Sequence, residues 1–387
     1  MSRQRYPYHL AVFMIAYYVT NCMYQSYMSL FYTGIPFTPT QIGLINAGVA
    51  LVSIAAQPLW GTVGDRAGSR RLVVMLLAAA SAAVVFAFRW FTAFLPLLLL
   101  ACLFSCFYTS LQPMGDAIIL RELDARGKPF GPLRMTGGLA FAVCGLLFGR
   151  VLDAPGRDRQ IPVYTALLCL AIAAATLSLP RAAGGQSEQG RRMRFSALYR
   201  QKELMGLLLF LAPIQITMGY FYTFFSPHFM TLPGASGTLL GLCYFIAAMS
   251  EVPFLILSDR LFDRWGAGRL MCVSAATLSL RWLVLGFCPN AHVALASQLL
   301  HGWGFIVMTV CMAKYVSRSV PRELQSSGQM LLAIFSFGIP RAFGNLAGGL
   351  LADWLGRQNV FFFCAAICVL TLLIGGRRVS RQSASSW

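Results

Sequence analysis

Acidic residues are scarce in this chain. Its 387 residues include 13 Asp and Glu against 31 Lys and Arg, and only 11% are charged. A soluble domain carries about 25%. Two stretches, between Arg5 and Asp65 and between Glu203 and Glu251, hold no Lys, Arg, Asp or Glu at all. That shortage excludes an ordinary soluble globule. Cysteine is present but never clustered: the eleven residues are scattered, and the close pairs Cys102/Cys106 and Cys364/Cys368 stand one helical turn apart. No C-x-x-C, H-E-x-x-H or G-x-S-x-G pattern occurs. A metal centre, a cofactor and a hydrolytic nucleophile therefore have no sequence support, and the chain is not expected to be an enzyme.

What is abundant is apolar length. Hydrophobic residues make up 57% of the chain. A membrane-crossing helix needs roughly 20 apolar residues, so each charge-free stretch has room for two, with "TGIPFTPT" (33–40) and "TLPGASG" (231–237) as Pro/Gly turns. The pattern predicts an all-α membrane protein of twelve transmembrane helices, at 8–32, 41–63, 72–90, 94–120, 132–152, 161–179, 204–230, 237–258, 270–288, 292–315, 325–352 and 358–376. The first is too long for a cleavable signal peptide and lacks a small-residue cleavage site.

The net charge of +18 follows topology. Basic residues gather at Arg3 and Arg5 and in alternate loops: Arg66, Arg70, Arg71; Arg121, Arg126, Lys128; Arg191, Arg192, Arg194; Arg260, Arg264, Arg269; Arg318, Arg322; then Arg377, Arg378, Arg381. This is the positive-inside pattern of an inner (plasma) membrane protein with both termini cytoplasmic. It is not a nucleic-acid footprint, and membrane lipid is the expected surrounding.

The chain also repeats itself. An offset of 198 residues superposes Gly43 on Gly241, Asp65 on Asp263, Arg66 on Arg264, Gly68 on Gly266 and Arg71 on Arg269. Half-chain repetition with an even span count predicts two pseudo-symmetric six-helix bundles, 1–180 and 204–377, with a cytoplasmic linker at 181–203 and a tail at 378–387. Two such lobes can rock about a central site. The repeated D-R-x-G elements are expected to act either as gates or as plain turns, with Gly68 and Gly266 making the turn and Asp65 accepting from helix N-terminal amides.

"G61-x-x-x-D65-R66-x-G68-x-R70-R71" resembles the loop signature of the major facilitator superfamily. "FGPLRMTGGLAFAVCG" (130–145), "SAATLSLRWLVLG" (274–286) and "QLLHGWGF" (298–305) resemble its lactose permease and phenylpropionate permease branch. The resemblance implies the major facilitator fold, a monomer, and substrate roles for Asp116 and Arg134. It also implies a proton and substrate relay through Arg281 and His301. This chain departs from the branch pattern at several places. Gly304 stands where a relay glutamate is usual, Gln298 where a lysine is, and Gly219 and Tyr222 where two aspartates are. The helix-8 acid is moved by one turn onto Glu251.

The residues themselves point to the same chemistry. Only Asp116 and Glu251 lie well inside the expected spans, and membrane-buried charges normally face a partner or a watery cavity. Arg134, Arg281 and Arg341 are the available cations. An ionised carboxylate is stable beside arginine and takes up a proton when that arginine withdraws. Glu251 is the expected proton carrier, with Arg281, His301 and Arg341 around it, and Asp116 with Arg134 the expected substrate clamp. His301 could titrate as well, or simply bond to Gln298 one turn away. Tyr24, Gln25, Tyr108, Gln112, Gln215 and Gln298 are candidate solute contacts, and the loop residues Gly61 to Arg71 and Asp263 to Arg269 candidate gates. The expected function is proton-coupled import of a sugar, nucleoside or aromatic or organic acid. Export of drugs or metabolites by antiport, or sensing without transport, are the alternatives.

Overall fold

The computed structural model describes residues 6–181, 198–321 and 324–382. Most of the expected linker, the basic residues Arg3, Arg5, Arg191, Arg192, Arg194 and Arg322, and the tail beyond residue 382 lie outside the described residues. The described chain is helical, without strands: α1 (Ala11–Thr33), α2 (Pro39–Arg66), α3 (Arg70–Ala87), α4 (Phe94–Tyr108), α5 (Leu111–Ala125), α6 (Gly131–Leu152) and α7 (Ile161–Ala175) come first. There follow α8 (Lys202–Phe229), α9 (Gly237–Gly286), α10 (Ala291–Ser297), α11 (Val307–Ser319), α12 (Gln325–Ala333), α13 (Ile339–Leu355) and α14 (Val360–Gln382).

Ten helices among the described residues are long and apolar enough to cross a membrane. The first expected span corresponds to α1, whose tyrosines, Asn21, Gln25 and serines make it less apolar, and it is not one of the ten. The expected spans 237–258 and 270–288 run within one 50-residue element, α9. Straight, α9 would be about 75 Å long. It turns at Gly266, where φ is 71° and ψ 164°, a backbone conformation that favours glycine. Its repeat counterpart Gly68 does not adopt a positive φ. There the turn is ended by Ser69, whose hydroxyl accepts from Leu72 N at 3.4 Å and caps α3. The two glycines thus take different backbone conformations, and at the first hairpin Ser69, not Asp65, supplies the helix-capping acceptor.

Chain contacts separate two units, Met1–Phe37 with Leu51–Gly190, and Thr38–Ala50 with Arg191–Trp387. Division at the linker alone differs by one segment, since the first half of α2 groups with the second unit. The reason is close backbone approach. A Cβ on Gly43 would stand 2.3 Å from Asn345 O, and one on Gly349 2.6 Å from Pro39 O. Thr40 also donates its backbone N–H to Asp353 Oδ2 at 2.9 Å.

In the first unit α1 packs on α6 and α7, and α3 on α4 and α7. In the second, α8 packs on α13 and α14, and α9 on α14 and α11. The α8–α13 contact brings backbones together, as small residues do in membranes. A Cβ on Gly344 would be 2.0 Å from Ile216 O, and one on Gly219 2.6 Å from Arg341 O. This seats Arg341 against α8. Two π-helical turns interrupt the second unit, Gly302–Ile306 directly after His301 and Ile334–Gly338 just before Arg341. Such turns are rare and favour functional positions.

Candidate functional site

In the second unit four predicted residues form one chain of contacts. Gln298, on a short 3₁₀ turn after α10, accepts at Oε1 from Arg281 Nη2 at 2.6 Å. Arg281 Nη1 lies 2.9 Å from His301 Nδ1. The other face of the imidazole meets Glu251, with Nε2 3.3 Å from Oε1. Arg281 is fully buried, Gln298 and His301 nearly so, while a quarter of the Glu251 side chain is exposed. The relay thus runs from a sealed interior to a single accessible carboxylate. Phe221 carries the guanidinium at 4.2 Å from its ring centre, a cation–π contact.

Glycine sets the register of this relay. A Cβ on Gly302 would stand 2.0 Å from Ser250 O, so the backbone after His301 lies directly on the backbone before Glu251. Ser250 Oγ accepts from Gly302 N at 2.8 Å and fixes the approach. Sequence reasoning named the four relay residues but offered Gln298 as a partner of His301 and set Arg281 around Glu251. The structure places Arg281 between Gln298 and His301, and His301 between Arg281 and Glu251.

Arg341 makes further contacts in this unit. Its Nε donates to Gln215 Oε1 at 3.3 Å, and its guanidinium lies 4.8 Å from the Tyr222 ring and 4.6 Å from Phe337. It remains within electrostatic reach of His301. The departures from the lactose permease pattern find physical reasons here. At position 219 the Arg341 backbone leaves no space for an aspartate side chain. At position 304 a Cβ would already meet Leu278 Cδ2 at 2.6 Å.

In the first unit Asp116 lies on α5, with Gln112 one turn before it and facing it. Its Oδ1 is buried and has no hydrogen-bond partner among the described residues. Gln112 Nε2 donates to Tyr18 Oη at 2.7 Å, and Arg134 lies over the same tyrosine at 4.4 Å from the ring centre. Asp116 and Arg134 both reach Tyr17 electrostatically. Tyr18 therefore organises this site, and sequence reasoning missed it. A signal was available: Tyr18 precedes the named Gln25 by seven residues, two turns along one helix face. Gln25 itself is exposed, and Tyr24 packs at 4.7 Å from Phe104 and 5.4 Å from Tyr108. Tyr108 is buried and stacks on Phe104 at 4.9 Å, because α4 ends there and turns it from the Asp116 face into aromatic packing.

The repeated loop elements pair differently. Asp65 takes Arg70 within its own hairpin, and Arg71 Nη1 donates to Leu179 O at 3.3 Å. Asp263 takes Arg318 of α11 at 2.5 Å, beside Asp259 with Lys314 at 2.5 Å. Gly61 and Gly68 have open space around them. Arg66, Arg264 and Arg269 enter no ion pair among the described residues.

A family profile described as MFS_1 like matches residues 8–363. The chain belongs to that family. Among its relatives, the maltose permease of Geobacillus stearothermophilus is 30% identical over 346 residues, covering 87% of this chain and 86% of the relative. The probable 3-phenylpropionic acid transporter of Escherichia coli is 25% identical over 377 residues, covering 94% and 96%. The crystal structure of the nucleoside transporter NupG superposes with a TM-score of 0.83 at 16% identity, covering 98% of this chain and 99% of that one. This MFS_1-like protein is accordingly an integral membrane transporter of the major facilitator superfamily and not an enzyme.

Proposed function

We propose that this MFS_1-like protein is a proton-coupled symporter that imports a small polar solute by alternating access. It would act as a monomer of twelve spans in two six-helix lobes in the inner membrane, with both termini cytoplasmic. The observation that carries the reading is the Gln298–Arg281–His301–Glu251 relay, in which a fully buried, fixed cation is joined through a histidine to a partly exposed carboxylate. A carboxylate that meets water on one side and a charged relay on the other can load and release a proton as the lobes rock.

Solute recognition falls to the Asp116, Gln112, Tyr18 and Arg134 group, where a buried carboxylate oxygen awaits a donor and an aromatic ring backs the arginine. Hydroxyl groups of a sugar would satisfy both the carboxylate and the amide. Within the second unit, Arg341 with Gln215 supplies a further polar contact for solute. The Asp65–Arg70 and Asp263–Arg318 pairs serve as cytoplasmic gates.

Purified protein in liposomes tests this directly. Under an inward pH gradient, maltose, a nucleoside and 3-phenylpropionate are offered in turn, the sugar first because of the maltose permease relative. Accumulation above the equilibrium level, abolished by a protonophore, is expected for one of them. Efflux driven by the opposite gradient would instead make the protein an exporter, and gradient-independent equilibration would remove proton coupling.

A further inference from the structure

We propose that Arg281 is a positioning residue that holds His301 in its neutral Nε2–H tautomer, so that Glu251 alone in the relay takes up a proton. The inference rests on the proton-coupling reading and decides which relay member titrates. It follows from donor and acceptor counting that starts at a backbone carbonyl. Ala294 O can only accept, and the Gln298 amide lies 3.0 Å from it, so that end of the amide is its NH₂ group. The same group also reaches Ser297 Oγ at 3.2 Å. The amide oxygen must then face Arg281, 2.6 Å from Nη2. Guanidinium has five donors, no acceptor and no accessible neutral form. At 2.9 Å from Arg281 Nη1, His301 Nδ1 must present its lone pair. The ring hydrogen therefore sits on Nε2, aimed at Glu251 Oε1 3.3 Å away.

Every link is thereby directed. An imidazolium at position 301 would set its Nδ1–H against an arginine N–H, and Arg281 cannot yield, being held by Gln298 and by the Phe221 ring. Also facing His301 are Arg341, a second fixed cation that opposes another positive charge, and the Phe221 and Tyr222 rings at 6.2 and 6.5 Å. Cys243, Tyr222 and Tyr244 face Arg281. Glu251 has no such obstacle. Its carboxylate takes one proton to become a carboxylic acid, and one of its oxygens still accepts from His301 Nε2–H. The rest of the relay keeps its bonds in either state.

Nitrogen NMR of the full chain, labelled with ¹⁵N-histidine in lipid nanodiscs, reads the tautomer. The chain has four histidines, and His301 is assigned by the signal lost in His301→Gln. The expected spectrum is an Nε2–H pattern that does not change between about pH 5 and 8, the range in which histidine ordinarily titrates. An Nδ1–H pattern, or imidazolium appearing in that range, would overturn the proposal. Arg281→Met is expected to give His301 a protonation transition in the same window; no transition would show that Arg281 is not the lock. Should that variant fail to fold, Glu251→Gln replaces it. The Nε2–H pattern must persist there, and a switch to Nδ1–H would assign tautomer control to Glu251 instead. The spectra are recorded without solute or gradient, so they stand or fall separately from the transport reading.

Discussion

The two units hold their arginines in opposite ways. Arg281 is fully buried and committed, with Gln298 and His301 on its two terminal nitrogens and Phe221 against its face. Arg134 is exposed and rests on a tyrosine ring. A buried cation tied into a directed network fixes one geometry, which suits the proposed control of a proton. An exposed cation backed by an aromatic plane can meet a solute and let it go. On the proposed reading, a division of labour between the units is written in the surroundings of one residue type.

The largest effect should come from breaking the committed arginine. Arg281→Met leaves Gln298 and His301 without their donor, and losing one member of a buried charged network costs about 3–5 kcal/mol. Uptake should fall at least ~100-fold on the scale of that loss, with a clear drop in melting temperature. Arg134→Gln should weaken solute binding and leave melting unchanged; a stability loss equal to that of Arg281→Met would erase the contrast.

Next come the two acids. Glu251→Gln should abolish accumulation against a gradient while preserving solute exchange, measured as counterflow in liposomes. Asp116→Asn should raise the KM by roughly 10- to 100-fold, as expected for a charged hydrogen bond worth about 1.5–3 kcal/mol, and leave coupling intact. Exchanged phenotypes would reverse the assignment of the units.

Glycine substitutions give a finer test. Gly302→Ala meets the Ser250 carbonyl at 2.0 Å, a backbone atom that cannot move aside, and overpacking of this kind costs about 1–3 kcal/mol in thermal stability. Gly137→Ala meets the Tyr18 ring at 2.3 Å instead. It should shift that ring, and with it Gln112 and Arg134, lowering solute affinity more than stability.

The smallest effect belongs to the cytoplasmic ion ladder. Arg318→Gln removes a pair that is half-exposed on both sides, so stability should change by about 0.2–1 kcal/mol and less still at high salt.

Much of the site was legible in the sequence because membrane burial is costly. Asp116, Glu251, Arg281 and His301 stand out in apolar runs, where a charge needs a reason. Which of them touch was not legible, since bonding depends on helix rotation and on how closely backbones approach. Gly302 against Ser250 sets both, and glycine in an apolar helix carries no visible sign of its neighbour. Tyr18 was hidden for another reason: among so many tyrosines on α1, only contact with Gln112 and Arg134 distinguishes it. Lys314 was overlooked as partner of Asp259, although Asp259/Asp263 and Lys314/Arg318 share the same four-residue spacing.

The π-helical turn at Gly302–Ile306 sets the rotational phase of α11. Such a turn holds one residue more than an α-helical one, and each residue advances a helix by about 100°. His301 lies before the insertion and points at Glu251; Lys314 and Arg318 lie beyond it and point at Asp259 and Asp263. Without the extra residue, a regular helix could aim one end or the other, but not both. Shortening the turn by a single residue would keep the imidazole in place and swing the two cations away from their acids.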